Sequence, residues 1–316
     1  MSAARAKPAT RKRRATSRAP LPTLSPESAT RLASFERALA TAVRRRAGGA
    51  GRMGEALRYA ALSPGKRLRP LLTLAACEAV GGSWRRALPA AIAIECVHAF
   101  SLVHDDLPAM DDDDYRRGRL TTHKRYGEAL GILAGDALLA FAFEELTRLE
   151  REGVPATRVL EAVRRLARAS GAEELVGGQA LDIAAEGRKP TAAMVRSIHL
   201  RKTGALMGAA LALGALAGDA GTATVTSLDE AGRKLGLAFQ ITDDLLNADS
   251  SLATLGKRSG TDEARGKATF PSAVGAPRAR AEATRLIAGV RTSIERASSQ
   301  PALLLELIDA TARRDH

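Results

Sequence analysis

Apolar positions recur at helical spacing along most of the chain. Leu32, Phe35, Leu39 and Val43 lie three or four residues apart and predict a first amphipathic helix that stops at the glycine pair 48–49. Beyond it Ala, Leu, Arg and Glu dominate, all strong helix formers. Pro and Gly interrupt the pattern at 64–65, 81–82, 153–155, 187–190, 218–221 and 271–277, and the segments between them have helical length. No alternation of Val, Ile and Thr reaches strand length, and no internal repeat of solenoid period is evident. Residues 205–218 form a 14-residue stretch without a polar side chain. It is short of the roughly 20 needed to cross a bilayer and reads as a helix inside a large helical core. The expectation is an all-α domain of roughly ten or more helices over residues 28–316, with no transmembrane segment.

Charge changes the picture at one end. The 316-residue chain carries a formal net charge of +13, which raises nucleic acid, anionic membranes or phosphate-rich ligands as partners. Residues 1–26 hold seven basic residues, no acid and four of the 13 prolines, leaving 41 basic against 35 acidic residues for the body. We read 1–27 as a disordered basic tail. It lacks the apolar stretch of a secretory signal; its composition suits either a transit peptide or a solvated arm without a partner. The charge alone suggests a nucleic-acid binder, but no recognition motif accompanies it and aromatics are 3% of residues, so nucleic acid is not expected as a partner. Cys77 and Cys96 are not spaced like a zinc or redox pair and read as buried thiols of a reducing cytoplasm.

The candidate chemistry begins at 104–118, HDDLPAMDDDDYRRG, with six carboxylates in ten residues. They follow the apolar stretch 92–103, which puts Asp105 and Asp106 near the end of a long helix, and Pro108 disrupts that helix. The break lets Asp111 return toward Asp105. Clustered carboxylate oxygens suit magnesium, which takes one or two carboxylates plus substrate phosphates and water; the competing reading is a solvated acidic loop. Arg116 and Arg117 either pair with this cluster or grip a diphosphate, since guanidinium forks match phosphate oxygens. Upstream, GKRLRP at 65–70 sets three cations in four residues at a helix start, a place that favours an anion. It lacks the glycine spacing and Ser/Thr of a Walker motif. A second pair, Asp243 and Asp244, sits among apolar residues, with Asn247 on the face of Asp243. Lys202-Thr203-Gly204, Gly256-Lys257 and Gly266-Lys267 add further cations. Two acidic clusters and these cations describe a metal-bridged diphosphate site between facing helices.

The set resembles the trans-isoprenyl diphosphate synthases, and most of all the bacterial short-chain farnesyl diphosphate synthases. The likeness runs from about residue 30 to about residue 310 and rests on GKRLRP at 65–70, the run at 104–118, GGQALD at 177–182, KTG at 202–204, GLAFQITDD at 236–244 and TLGKRSGTDEARGKATFP at 254–271. It implies a helical bundle around a deep central cavity, a cytoplasmic homodimer, and condensation of isopentenyl diphosphate with an allylic diphosphate, dimethylallyl or geranyl. By the same resemblance Asp105, Asp106, Asp111 and Asp243 hold magnesium, three ions per site. Arg116, Lys202 and Lys257 hold the allylic diphosphate. Lys66, Arg69, His98 and Arg117 hold isopentenyl diphosphate. Thr203 and Gln240 face the allylic carbon where charge develops, Gln179 and Asp182 support the site, and Lys267 guards the second metal position.

Phe100, about 7.5 Å along the helix axis before Asp105, closes the floor of the elongation cavity by the same implication, which favours a C15 product, farnesyl diphosphate. Geranylgeranyl and geranyl diphosphate are the rival products. One position departs from the family: the second acidic motif ends in Asn247 where an aspartate is usual, which keeps an acceptor and loses a charge. A class I terpene cyclase would not need Lys66 and Arg69, and a non-catalytic subunit would normally lose one acidic cluster.

Overall fold

The computed structural model describes residues 25–253 and 267–312, the side chains of 249–253 excepted. The fold is helical, as the periodicity predicts. Helix α1 (Pro26–Ala47) begins two residues ahead of the expected domain boundary because Ser25 caps it, its side chain accepting from the Ser28 N–H at 3.2 Å. The remainder of the expected tail, 1–24, lies outside the described residues. Helices α2 (Gly51–Ala61), α3 (Leu68–Ala79) and α4 (Leu88–Asp105) follow, α4 entered through a 3-10 turn at Trp84–Ala87. Then comes a short feature that residue alternation did not announce, an antiparallel ladder of β1 (Tyr115–Arg116) and β2 (Arg119–Leu120). Two residues per strand are too few to leave a period-two signal.

Helices α5 (Thr122–Tyr126), α6 (Glu128–Thr147), α7 (Ala156–Ser170), α8 (Leu175–Ala185) and α9 (Ala192–His199) lead to α10 (Ala205–Ala217). The chain closes with α11 (Thr222–Ala253), α12 (Phe270–Val274), α13 (Ala276–Ala297) and α14 (Ala302–Ala312).

Helix α10 is the axle. All 13 of its residues are buried, and it packs on α3, α4, α7 and α11. Its Ala and Gly content permits backbone-to-backbone approach: a Cβ on Gly214 would stand 2.1 Å from the Thr73 carbonyl oxygen, and one on Gly232 of α11 would stand 2.5 Å from the Met207 carbonyl oxygen. Around it Phe35, Leu39, Leu72, Ile94 and Leu138 form one core, while Ile198, Ile241, Phe270 and Leu286 form a second under α9, α12 and α13. The stretch Trp84–Asp105 is 22 residues with mean hydropathy 1.5, long and apolar enough to cross a membrane by those measures alone. Arg85, Arg86, Glu95, His98, Ser101 and His104 interrupt it, so it holds no long run without a polar side chain. It is buried as a core helix of the bundle. Cys77 and Cys96 are free and buried in that core; burial pushes the Cys77 thiol up to about 12 and the Cys96 thiol up as well.

Candidate active site

Helix α4 delivers the first acidic cluster and the chain then folds back on it. The Asp111 N–H donates to the Asp105 carbonyl at 2.8 Å, and the Asp113 N–H to the Asp106 carbonyl at 3.2 Å. Asp111 thus returns beside Asp105, as the position of Pro108 suggests. Burial pushes the Asp105 carboxyl up and Asp111 adds to this, while Lys202, Arg116 and Lys267 oppose it. Three cations from distant segments therefore face one carboxylate. Asp106 is buried, its carboxyl pushed up to about 6 by desolvation against the pull of Arg116, whose Nε and Nη2 each lie 2.6 Å from Oδ1. Lys267 Nζ stands 3.4 Å from Asp111 Oδ1, which puts this cation on the first acidic cluster.

The opposite wall comes from 200–204, where the backbone widens into one π-helical turn, Leu200–Gly204, between α9 and α10. Such a bulge re-aims side chains that a regular helix would send elsewhere. Lys202 Nζ sits 2.6 Å from Asp182 Oδ2 and also feels Asp105 and Asp111. Helix α8 approaches this turn closely: a Cβ on Gly178 would lie 2.4 Å from the Lys202 backbone nitrogen. The Thr203 hydroxyl donates to Gln240 Oε1 at 3.2 Å, and Gln240 Nε2 donates to Asp244 Oδ1 at 3.3 Å. Asp244 Oδ2 is 3.0 Å from His199 Nε2 and accepts the Phe270 N–H at 2.9 Å. Asp244 is thus a brace between α9, α11 and α12. Asp243 is buried one residue earlier, and Asn247 is exposed one turn on. The Gln179 carbonyl oxygen is buried without a hydrogen-bond partner, beside the same turn. Lys257 lies outside the described residues.

A third group gathers under α4. Arg67, in the left-handed region at φ 49°, turns inward to Glu95 at 2.5 Å and Glu36 at 2.7 Å. Within GKRLRP, Arg67 is tied into the fold by these two ion pairs. His98 is desolvated and faces Arg69, Arg117, Arg116 and Arg67, so its imidazole is held neutral, well below the ordinary histidine range. Arg117 Nη1 donates to the Pro64 carbonyl at 2.5 Å, and a Cβ on Gly65 would meet that same nitrogen at 2.4 Å. A cleft opens here, lined by Tyr59, Ser63, Arg67, His98, Arg117 and Thr121. On the facing side of α4, Phe100 is buried, its ring edge-on to His104 at 5.0 Å, and a Cβ on Gly135 of α6 would strike that imidazole.

The sequence marks Asp244 as half of the second acidic pair but not as a brace, and it marks neither His199 nor Tyr59, because only tertiary contacts distinguish those roles. It also passes over a second oxygen-and-nitrogen trio, Asp112, Asp114 and His123, whose ligand atoms lie within 4.8 Å of one another. Asp112 and Asp114 are exposed, and Lys124 pairs with Asp114 at 2.8 Å.

Residues 51–305 match the model of one family, Polyprenyl synthetase. The chain belongs to the polyprenyl synthetase family. It is 44% identical over 263 residues to a dimethylallyltranstransferase of Fischerella ambigua, a match covering 83% of this chain and 76% of that one. It is 46% identical over 247 residues to a farnesyl diphosphate synthase of Escherichia coli, covering 78% of this chain and 83% of that one. Among solved structures, an FPP/GFPP synthase from Zymomonas mobilis superposes with a TM-score of 0.76 at 36% identity, covering 91% of this chain and 96% of that one. Polyprenyl synthetases are of the magnesium-dependent prenyltransferase type, and the residues here fit that metal: Asp105 and Asp111 are brought together under desolvation, and their donors are all oxygen.

Proposed function

We propose that this polyprenyl synthetase condenses isopentenyl diphosphate with dimethylallyl or geranyl diphosphate and yields mainly (2E,6E)-farnesyl diphosphate. One observation carries the reading: Asp105 and Asp111 face Lys202 and Lys267 across the site, beside an adjoining cleft lined by Arg117 and neutral His98. Two anion-binding places, one with clustered carboxylates and one whose lining carboxylates Glu95 and Asp106 are paired with Arg67 and Arg116, suit two diphosphates of which only one ionises.

Lys202, Arg116 and Lys257 hold the allylic diphosphate against Asp105, Asp106 and Asp111, with Asp243 opposite. Magnesium, three ions per site, neutralises the departing diphosphate when bound. Fixed cations aimed at that leaving charge stabilise the transition state without reorganisation. Thr203 and Gln240, linked at 3.2 Å, present oxygens to the carbon that becomes positive. The apolar walls of α4 and α10 keep water from quenching it. Lys66, Arg69, His98 and Arg117 hold isopentenyl diphosphate so that its double bond meets the cation. A neutral His98 can donate one hydrogen bond to phosphate without repelling the surrounding arginines. By sequence none of the five histidines is an obvious candidate to take the final proton, and the released diphosphate serves. Phe100 closes the elongation space at the length of a C15 chain.

The enzyme acts in the cytoplasm as a homodimer. Helix α6 leaves Ile132 and Leu133 exposed at 45% and 52%, a face that a second copy would cover. The decisive experiment is incubation with labelled isopentenyl diphosphate and each allylic primer in magnesium, followed by product sizing. A C15 product is expected; C20 or C10 as the main product selects the geranylgeranyl or geranyl alternative. A hydrocarbon formed from one allylic diphosphate without isopentenyl diphosphate would identify a terpene cyclase, and no product from any primer would identify a non-catalytic subunit.

A further inference from the structure

The β1–β2 ladder has two residues per strand, and a hairpin of that size does not hold itself in water. Its turn makes this worse. Arg117 and Gly118 occupy the two central positions with φ of 52° and 78°, the mirror-image turn that suits a hairpin but disfavours an L residue with a long side chain at the first place. Yet this turn must present Arg116 to Asp106 on one side and Arg117 to the Pro64–Gly65 backbone on the other. Something outside the hairpin has to fix it.

Asp106 fixes the incoming strand through Arg116, and Tyr59, on α2, fixes the outgoing one. Its hydroxyl donates to the Leu120 carbonyl at 2.8 Å, on the outgoing strand. The Arg119 guanidinium lies 4.1 Å from its ring centroid and that of Arg125 4.5 Å, and Tyr126 meets it edge-on at 5.5 Å. One aromatic ring therefore collects β2, α5 and α2 at the rim of the cleft that holds His98 and Arg117. We infer that Tyr59 is a positioning residue for isopentenyl diphosphate: it pins the β1–β2 hairpin so that Arg117 is held at the second diphosphate place. The inference rests on the assignment of that cleft to isopentenyl diphosphate. Tyr59 itself touches neither substrate in this reading. It acts through Arg117, whereas Arg116 on the same hairpin keeps its own hold on Asp106 at 2.6 Å, so loss of Tyr59 affects one substrate and not the other.

The test compares wild type, Tyr59→Phe, Tyr59→Leu, Arg117→Ala and the double variant Tyr59→Phe/Arg117→Ala, all as full chains. Tyr59→Phe keeps the stacked ring and removes one neutral hydrogen bond; KM for isopentenyl diphosphate should rise about fivefold. With Tyr59→Leu the stacking goes too, and the rise should reach tenfold or about that. KM for the allylic diphosphate and kcat should stay within about twofold, because uniform binding of one substrate is what is lost. In the Arg117→Ala background the Tyr59→Phe effect should vanish, which a merely structural role would not produce. Calorimetric binding of isopentenyl diphosphate without magnesium gives the same comparison independently of turnover.

An unchanged isopentenyl KM and binding constant in Tyr59→Phe overturns the inference while leaving the assigned function standing, as does a parallel rise in both KM values. A full-sized Tyr59→Phe effect without Arg117 overturns it too. Wild-type protein that fails to bind isopentenyl diphosphate overturns both readings. If Tyr59→Leu does not fold, the conservative Tyr59→Phe still decides.

Discussion

Asp243 and Asp244 are adjacent acids on α11, and replacing each by asparagine should have opposite consequences. Asp244 is 5% exposed and its carboxylate has three partners: His199 at 3.0 Å, Gln240 at 3.3 Å and the Phe270 N–H at 2.9 Å. Gln240 and Phe270 both donate. An asparagine fills the same volume but offers one oxygen and one NH2 group, so its NH2 must face a donor or His199, and the charge that strengthened every bond is gone. The loss of one hydrogen bond to a charged group is about 1.5–3 kcal/mol. At roughly 2 °C per kcal/mol for a chain of this size, Asp244→Asn should lower Tm by about 3–6 °C. Asp243→Asn removes a carboxylate proposed to hold metal and should reduce turnover by about a hundredfold or more. Thermal melts without magnesium and steady-state turnover across a magnesium series read the two effects apart. If Asp244→Asn melts with the wild type and abolishes turnover as completely as Asp243→Asn, then Asp244 belongs to the chemistry and the division of labour drawn from its contacts is wrong.

Three further outcomes are expected. Phe100→Ala opens the floor beneath Asp105 and should lengthen the main product; an unchanged profile by chromatography would remove Phe100 from product control. Asn247→Asp restores a carboxylate on the face of Asp243 and should lower the magnesium concentration giving half-maximal activity, whereas no shift would place Asn247 outside the metal's surroundings. His98 is held neutral in the fold while an unfolded histidine takes up a proton near pH 6.5. The unfolded state therefore binds more protons below that pH: stability from this group is complete above about 6.5 and falls by up to about 1.4 kcal/mol per pH unit beneath it, down to the folded pKa. Urea melts between pH 7 and pH 5 should show this limb in the wild type and a flatter one in His98→Gln; identical limbs would show that His98 is protonated in the fold.

The sequence by itself determined the helical class, the family and the places where charge had to be neutralised. Helical periodicity is local, and so is the information in a break such as Pro108, which is why the return of Asp111 to Asp105 could be read from spacing. Paired carboxylates and basic clusters at fixed order along the chain are equally local signals, and they marked both acidic motifs and the cations around them. The tertiary structure decided what each of those charges does. Arg67 and Asp244 are the same residue types as their neighbours Arg69 and Asp243, yet Arg67 is consumed by Glu36 and Glu95, and Asp244 by His199, Gln240 and Phe270. No spacing rule separates them, since the partners come from segments up to 45 residues away. The π turn that carries Lys202, and the hairpin held by Tyr59, depend in the same way on packing: α8 reaches the one closely at Gly178, and an aromatic ring on a different helix supplies the other with contacts that a two-residue ladder lacks. Desolvation completes the difference. A carboxylate in a string of letters carries its ordinary proton affinity, and only burial beside other charges moves Asp105, Asp106 and His98 away from it.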